Sequence, residues 1–419
     1  MLHQTKENKQ GPSNPLWTKN FTIITVGTVI SRLGNSISGF ATGLLVLDYT
    51  ASTFLYALYM VLYNLPKIIL PSLAGPFIDK FSRRKTIYTL DFISTGIYFL
   101  FALIILTGNL SYIFLIIGCM ILGAIDSVYQ VAYESFYPML VSKGNYTKAY
   151  SIDSTLDSLT MLMVPVSAFL YNLVGIGPLF LIDMISFLVA AIFETQIQIE
   201  ESYVKKEEES FGFKQYKKTF SDGINYLKKE KGLLAITMYF TVTMFAQGAS
   251  NVIGLPYFKS TYSHGEYVYI AVMGFMLAGR IFGGVIHYKF KYPTDKKFTI
   301  ALIVYMTISI IDGSYLYMPI VIMMGMCFLS GIMGVTSYNI RISATQSYVP
   351  DGNKGRFNGI FQMLITIGMM LGELSSGIMG DFMEKRLVIA LFMMLNFIGV
   401  WFIMYRKRSH VKPIYNRQA

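Results

Sequence analysis

The sequence has little charge and almost no cysteine. Asp, Glu, Lys and Arg make up 14% of its 419 residues, whereas 53% are hydrophobic, and the mean hydropathy is +0.49. A soluble domain carries about 25% charged residues, so water is not the only solvent of this chain. Cys119 and Cys327 both lie in apolar segments, which excludes a disulfide framework and a cysteine-based zinc motif and predicts packing roles for both.

Motifs for catalysis are also missing. The four histidines show no His-Glu-x-x-His or other metal-binding spacing, and no Gly-x-x-x-x-Gly-Lys-Ser/Thr phosphate loop occurs. We therefore expect no enzyme, no cofactor, no metal site and no ATP-driven pumping by this chain alone. Intramembrane hydrolysis stays formally open, although nothing marks a nucleophile and its base. The net charge of +11 does not indicate a nucleic-acid partner, because the positions of the charges follow membrane topology.

Long apolar segments follow one another along the chain. A bilayer core about 30 Å thick needs roughly 20 apolar residues per helix, and these continuous segments lack the alternation of barrel strands. The sequence therefore predicts an all-α polytopic membrane protein with twelve transmembrane helices. The predicted spans are 21–48, 53–75, 86–107, 111–137, 153–173, 176–195, 233–257, 266–288, 298–314, 316–339, 357–380 and 387–405. The turn Asp312-Gly313-Ser314 divides spans nine and ten.

Basic residues are distributed unevenly between the two sides of the predicted membrane. The termini and the loops on their side hold 29 of the 35 Lys and Arg residues, whereas the opposite loops hold only Lys259, Lys385 and Arg386. Cytoplasmic loops are enriched in positive charge. We therefore expect a multi-pass protein of the cytoplasmic membrane with both termini in the cytosol.

The chain divides into two predicted halves. The one long polar segment, between Glu194 and Leu233, separates a six-helix bundle at 1–195 from a second at 233–406, with a linker at 196–232 and a cytosolic tail at 407–419. Within the linker, the stretch 211–227 is either an amphipathic surface helix or solvated chain. Weak matches at one shared offset, such as Gly75 with Gly283, indicate an internal repeat, which places a binding site between the repeats near mid-membrane.

The loop after the second span carries a family resemblance. It reads Gly75-Pro76-Phe77-Ile78-Asp79-Lys80-Phe81-Ser82-Arg83-Arg84-Lys85. This loop resembles the signature Gly-x-x-x-Asp-Arg-x-Gly-Arg-Arg/Lys of the major facilitator superfamily. Gly75, Asp79, Arg83 and Arg84 fit that pattern, while Lys80 and Ser82 replace its Arg and second Gly.

Three shorter segments resemble the macrolide-efflux branch of that superfamily: Ser31-Arg32-Leu33-Gly34, Tyr137-Pro138-Met139-Leu140-Val141 and Leu181-Ile182-Asp183-Met184-Ile185-Ser186-Phe187. This resemblance implies export of lipophilic compounds by proton antiport, through a cavity lined by spans one, four, seven and ten.

The resemblance also implies a cytosolic gate. Asp79 would face the start of span eleven near Gly355, Arg83 would pair with Glu134, and Gly75 and Arg84 would complete the gate. The alternative is that the bases of the loop only signal topology.

Charges inside the spans are candidates for ion coupling, because each costs roughly 2.5 to 3.5 kcal/mol at a helix centre. Arg32 and Asp126 lie near the midplane and are predicted to pair, with Asp126 as the leading proton or cation site. The alternative is a permanent structural ion pair. Glu373, deep in span eleven, is the second candidate. Other charges are assigned to caps, packing or snorkelling: Lys67, Asp91, Asp153 and Asp183.

Spans seven and ten lack charges near their centres. They offer hydroxyl, amide, methionine and aromatic groups instead, which orient a ligand or repack around it. This set favours an apolar or weakly cationic solute. The cavity candidates are Thr241, Gln247, Asn251, Met324 and Tyr338.

These expectations combine into one function. We expect alternating access with proton-coupled efflux of a lipophilic, macrolide-like or drug-like molecule by a monomer, with protons, the solute and the lipid bilayer as its partners. A lipid or metabolite transporter on the same fold, a ligand sensor that does not transport, and uptake instead of efflux stay open.

Overall fold

The structure is a computed structural model that describes residues 15–70, 81–142, 145–201, 221, 224–289 and 292–417. Within these ranges the chain is helical and contains no strand, which confirms the predicted all-α fold. The helices are α1 Lys19–Thr50, α2 Thr53–Asn64, α3 Arg83–Leu106, α4 Tyr112–Leu140, α5 Tyr146–Val174, α6 Ile176–Glu194, α7 Lys231–Thr261, α8 Gly265–Lys289, α9 Lys297–Ser314, α10 Ile320–Tyr348, α11 Asp351–Phe382, α12 Lys385–Gly399 and α13 Arg408–Tyr415.

Helices α1 to α12 correspond one by one to the predicted spans. In the described part of the chain, ten helices are long and apolar enough to cross a membrane, among them a segment that continues α2 to Leu70. Helix α5 is apolar only over Leu162–Val174, because its first half carries acids and hydroxyl groups. Helix α12 continues as a π-helix over Val400–Tyr405.

The boundary between α9 and α10 differs from the prediction. Helix α9 includes the expected turn residues, and the break falls at Pro319, which precedes the first residue of α10. Proline suits a helix start because it has no N–H to satisfy. Asp312 stays in the helix, since its side chain accepts a hydrogen bond from Ser330 Oγ at 2.7 Å. Helix α10 also runs nine residues beyond the predicted end at 339, so Arg341 is helical.

Contacts divide the chain into two units. The first unit is Met1–Thr42 with Ile69–Glu209, and the second is Gly43–Ile68 with Ser210–Ala419. The contacts therefore group the end of α1 and all of α2 with the second unit, although both precede the predicted linker. The boundaries at 195 and 233 stay a prediction.

Each unit has an aromatic core. In the first, Phe21 of α1 packs against Tyr137 of α4, with ring centroids 5.7 Å apart. In the second, Tyr239 of α7 packs against Tyr305 of α9 at 4.9 Å. Part of the predicted tail joins this second core as α13, where the hydroxyl of the buried Tyr415 lies 2.9 Å from that of Tyr305.

Candidate functional site

Glu373 is a carboxyl group buried inside the second unit. Its side chain on α11 is 1% exposed, and its Oε1 accepts a long hydrogen bond from Asn251 Nδ2 of α7 at 3.4 Å. No donor among the described residues reaches its Oε2. The structure thus brings together two residues that the sequence analysis assigned to different tasks, Glu373 to ion coupling and Asn251 to the cavity.

Glycines explain how α7 and α11 come close enough for this contact. A Cβ at Gly248 of α7 would lie 2.8 Å from the backbone nitrogen of Glu373, and a Cβ at Gly372 would overlap the carbonyl oxygen of Phe245. Small residues let helix backbones touch inside membranes. The position of Glu373 is therefore fixed by backbone packing on both sides.

Helix α2 also reaches this carboxyl group. A Cβ at Gly377 of α11 would overlap the Ala57 side chain of α2, and the buried Tyr56 lies in electrostatic range of Glu373 and of Tyr269 on α8. The polar groups near Glu373 thus include the Asn251 amide of α7 and the Tyr56 phenol of α2. Among the described residues, no cation contacts Glu373.

The C-terminal end of α11 holds the start of α2. Asp381 accepts hydrogen bonds from Ser52 Oγ at 2.7 Å, from the Thr53 backbone N–H at 2.7 Å and from the Phe54 N–H at 3.3 Å. A carboxylate satisfies the unpaired N–H groups of a helix start and complements its dipole. At the same end of the second unit, Lys259 of α7 forms an ion pair with Asp48 of α1.

The first unit holds the predicted coupling residue Arg32. Its Nη1 lies 3.0 Å from Asp153 Oδ1 of α5, and its guanidinium lies 5.1 Å from the Tyr133 ring centroid. Asp153, expected to act as a helix cap or packing residue, is therefore the counter-ion of a membrane charge. Asp126 is half-buried on α4, and its coupling role stays a prediction.

Two segments of the family resemblance meet at Asp183. This buried carboxylate of α6 accepts hydrogen bonds from Ser38 of α1 and, at 2.9 Å, from Ser186. A Cβ at Gly34 would overlap Ser186 Oγ. The glycine of the first segment therefore makes room for the polar groups of the third, which supports a packing role.

A pair of acids that the sequence analysis did not recognise lies in the same unit. Asp91 of α3 is 1% exposed and Glu194 of α6 is 0% exposed, and their carboxyl oxygens are in hydrogen-bond range of one another. Tyr129 Oη donates to Glu194 Oε1 at 3.3 Å, but no donor among the described residues reaches Asp91 Oδ2 or Glu194 Oε2. Because ionised carboxylates only accept hydrogen bonds, a proton shared between the two groups would satisfy both.

The predicted cytosolic gate is described in part. Gly75 and Asp79 lie outside the described residues. Arg83 donates to the Ser135 carbonyl oxygen at 3.0 Å, and Arg84 donates to the Ile197 carbonyl oxygen. Glu134 accepts a hydrogen bond from Gln130 Nε2 at 2.8 Å.

The remaining cavity candidates lie on α7 and α10. Thr241 Oγ1 donates to the Thr237 carbonyl oxygen at 2.9 Å, which satisfies its hydroxyl proton. Gln247 and Met324 are half-buried, and Tyr338 is 55% exposed. Tyr338 contacts Arg341, which the sequence analysis counted as a loop charge.

The sequence model of the Major Facilitator Superfamily matches residues 24–373 of this chain, more than four fifths of its length. The chain belongs to the major facilitator superfamily. It is 26% identical over 289 residues to "Uncharacterized MFS-type transporter YkuC" of Bacillus subtilis (strain 168), an alignment that covers 65% of this chain and 66% of that protein.

Solved structures show the same fold. The crystal structure of the nucleoside transporter NupG superposes with a TM-score of 0.69 at 11% identity, over 93% of this chain and 100% of that chain. A bacterial homologue of the iron transporter ferroportin, in its inward-facing state, gives 0.67 at 16% identity, over 91% and 98%. This chain therefore has the fold of a major facilitator transporter, which crosses the membrane several times.

Proposed function

We propose that this chain is a secondary active transporter that exports a lipophilic small solute in exchange for protons. The observation that carries the proposal is Glu373, a buried carboxyl group whose only hydrogen-bond donor among the described residues is the Asn251 amide. A carboxyl group without a cationic partner can take up and release a proton as its access to water changes. Asp126 and Arg32 are further coupling candidates in the first unit.

Alternating access requires that contacts at one end of the protein break while those at the other end form. The Asp381 cap on α2 and the Asp48–Lys259 ion pair are contacts of this kind. The charge bias of the loops supports an extracytoplasmic position for both contacts. At the opposite end, Asp79, Gly75, Arg83, Arg84 and Glu134 form the proposed cytosolic gate.

The test is solute flux in vesicles that contain the purified full chain under an imposed pH gradient. The probes are ethidium, tetraphenylphosphonium and erythromycin. We expect gradient-driven flux that a protonophore abolishes and that falls at least about tenfold in Glu373→Gln. Asp295→Asn is the matched control, because Asp295 is an exposed acid whose side chain makes no contact with the described residues.

Two results would contradict the proposal. Flux that persists unchanged after the protonophore would exclude proton coupling. Flux that is lost in Asp126→Asn but retained in Glu373→Gln would move the coupling site to the first unit. Absence of flux with every probe would favour the second candidate, a lipid or metabolite transporter, over a drug exporter.

A further inference from the structure

Arg341 is a half-buried cation without an acidic partner. It lies on α10, seven residues before the end of that helix, and among the described residues no carboxylate forms an ion pair with it. A charge inside a membrane protein normally faces a partner or a water-filled cavity. The absence of a partner therefore calls for another source of stabilisation.

Three aromatic rings supply that stabilisation. The guanidinium carbon lies 4.7 Å from the ring centroid of Phe361 on α11, 5.4 Å from that of Phe240 on α7 and 5.3 Å from that of Tyr338. We call Phe240, Tyr338, Arg341 and Phe361 the arginine cage. Rings stabilise a guanidinium through its faces, and they provide no acceptor for its N–H groups.

The N–H groups of Arg341 are accessible but have no acceptor in the described structure. None of its nitrogens is among the buried atoms that lack a partner, and the described residues accept no hydrogen bond from its side chain. Five donors in a planar fork match the two oxygens of a carboxylate or phosphate. The cage thus leaves the edge of the guanidinium available to an oxyanion.

Nearby phenols do not neutralise the charge. Tyr305, Tyr338 and Tyr415 are the titratable groups in electrostatic range of Arg341. Burial raises the pKa of Tyr415, so its hydroxyl stays neutral at physiological pH. An unperturbed tyrosine, with a pKa of about 10, is likewise neutral there. The charge on Arg341 is therefore uncompensated within the described part of the second unit.

Arg341 lies on the side of α10 that faces α7 and α11. Glycines and backbone of α10 pack against α8, as at Gly331, where a Cβ would lie 2.9 Å from the Arg280 backbone nitrogen. The guanidinium instead reaches α7 and α11, the helices that hold Asn251 and Glu373. The exposed ring of Tyr338 suits an apolar body, while the guanidinium suits one negative charge.

From this geometry we propose that Arg341 binds an oxyanion, a carboxylate or a phosphate, on an otherwise lipophilic solute. The inference rests on the proposed transport of a lipophilic solute. It replaces the apolar or weakly cationic cargo expected from the sequence with one that carries a negative charge. A solute with both groups would place its charge against Arg341 and its hydrocarbon part against Tyr338, which is exposed, whereas Phe240 and Phe361 are buried and support the guanidinium from the core.

The experiment compares two probes that differ only in charge. Binding of 11-dansylaminoundecanoic acid and of its methyl ester to the purified full chain is followed by dansyl fluorescence in nanodiscs of zwitterionic lipid. We expect the carboxylate to bind about tenfold more tightly than the ester, the gain typical of a charge-assisted hydrogen bond. Arg341→Gln should abolish this preference, and Arg341→Lys should retain only part of it.

Arg356→Gln is the control, because Arg356 is an exposed base on the following helix, α11. This substitution removes the same charge as Arg341→Gln. Equal binding of the two probes to the wild type, or a preference that survives in Arg341→Gln, would overturn the inference. Arg341→Gln must keep the elution profile and melting temperature of the wild type; Arg341→Met is the second variant if it does not.

A further arm identifies the source of the oxyanion. The same titration in nanodiscs that contain phosphatidylglycerol shows whether a lipid headgroup displaces the probe from Arg341. Displacement in the wild type but not in Arg341→Lys assigns the site to a headgroup, and no displacement assigns it to a free solute. Binding needs no transport, so selective binding without flux would count against the proposed function alone.

Discussion

The two units stabilise their buried arginines in different ways. Arg32 in the first unit has an ion pair with Asp153 at 3.0 Å, whereas Arg341 in the second unit has aromatic rings and no acid among the described residues. Both cations are stacked on a ring, so the carboxylate is what distinguishes them. A charge that is already paired contributes to the fold, while an unpaired charge is available to a ligand.

The buried acids show the same contrast. Asp91 and Glu194 in the first unit adjoin one another, and a shared proton would satisfy both. Glu373 in the second unit has only the Asn251 amide as hydrogen-bond donor. These groups of the first unit thus pair with one another, whereas Arg341 and Glu373 of the second unit contact neutral groups, which leaves their charge states free to follow a solute or a proton.

The largest expected effect is on the backbone contact that holds Glu373. Gly372→Ala would place a Cβ against the Phe245 carbonyl oxygen and force α7 and α11 apart. We expect a loss of about 3 kcal/mol in the free energy of unfolding, because a backbone carbonyl group cannot rotate away from the new methyl group as a flexible side chain could. Equilibrium unfolding of Gly372→Ala and of the wild type in mixed micelles measures this loss.

Gly274→Ala is the control for this prediction, because a Cβ there meets open space. That variant should match the wild type or exceed it slightly, since alanine favours helix over glycine. Equal losses in both variants would mean that Gly372 is not required for the approach of the two helices.

The arginine comparison predicts the next largest effect. Arg32→Met removes the counter-ion of Asp153 and leaves that carboxylate with the Tyr133 hydroxyl as a donor at 3.3 Å. Loss of one partner costs 3 to 5 kcal/mol for a fully buried pair, and the side chains here are 19% and 23% exposed, so we expect about 2 kcal/mol. Arg341→Met should cost less than about 1 kcal/mol, because no acid loses a partner.

Unfolding of both variants in the same micelles would decide this comparison. A larger loss in Arg341→Met than in Arg32→Met would show that the arginine cage is a structural element of the second unit. The proposed division between paired structural charges and available ones would then be wrong.

Sequence patterns predicted the helices more successfully than the partners of the charges. Hydropathy located a helix at each of the twelve predicted spans, and in the described part of the chain ten helices are long and apolar enough to cross a bilayer. It failed at Pro319 and at the end of α10, where packing and proline decide the boundary. The early end assigned to α10 is also why Arg341 was counted as a loop residue.

Partners could not be predicted because they depend on which helices are neighbours. Depth along the spans matched Arg32 to Asp126, a pairing that stays a prediction, but it could not reveal Asp153 from α5 as a counter-ion. Glu194 was missed altogether, since a residue at a predicted span end has no signal of burial. Glu373 was found because a carboxylate deep in an apolar segment is conspicuous in the sequence alone.

The Asp91–Glu194 pair of the first unit predicts that the melting temperature depends on pH. The second unit has no such pair of acids among the described residues. Raising the pH removes the proton that Asp91 and Glu194 share and leaves two negative charges in contact, which destabilises the folded state. The melting temperature of the wild type should therefore fall as the pH rises. Glu194→Gln should flatten this fall, because an amide cannot ionise and can donate to Asp91.

Melting curves of wild type, Glu194→Gln and Asp91→Asn between pH 5 and pH 9 test this expectation. Glu373→Gln serves as the matched variant, since it makes the same change in the other unit. If the fall persists in Glu194→Gln and disappears in Glu373→Gln, the pH dependence comes from Glu373. The prediction for the Asp91–Glu194 pair would then be wrong.

The smallest effect concerns an acid of the second unit that does have dedicated donors. Asp381→Asn leaves one acceptor oxygen for the α2 start in place of two and removes the charge that complements the helix dipole. We expect a loss of about 1 kcal/mol in the free energy of unfolding, as for other helix caps.

Asp48→Asn should lose about 0.5 kcal/mol at most, because Asp48 is 45% exposed and such ion pairs contribute little. The same unfolding titration compares Asp48→Asn with Asp381→Asn, and a larger loss in Asp48→Asn would mean that the ion pair, not the cap, holds α2 on α11. If the cap dominates, opening this end costs little more than the hydrogen bonds of one carboxylate, which is the small barrier that alternating access requires.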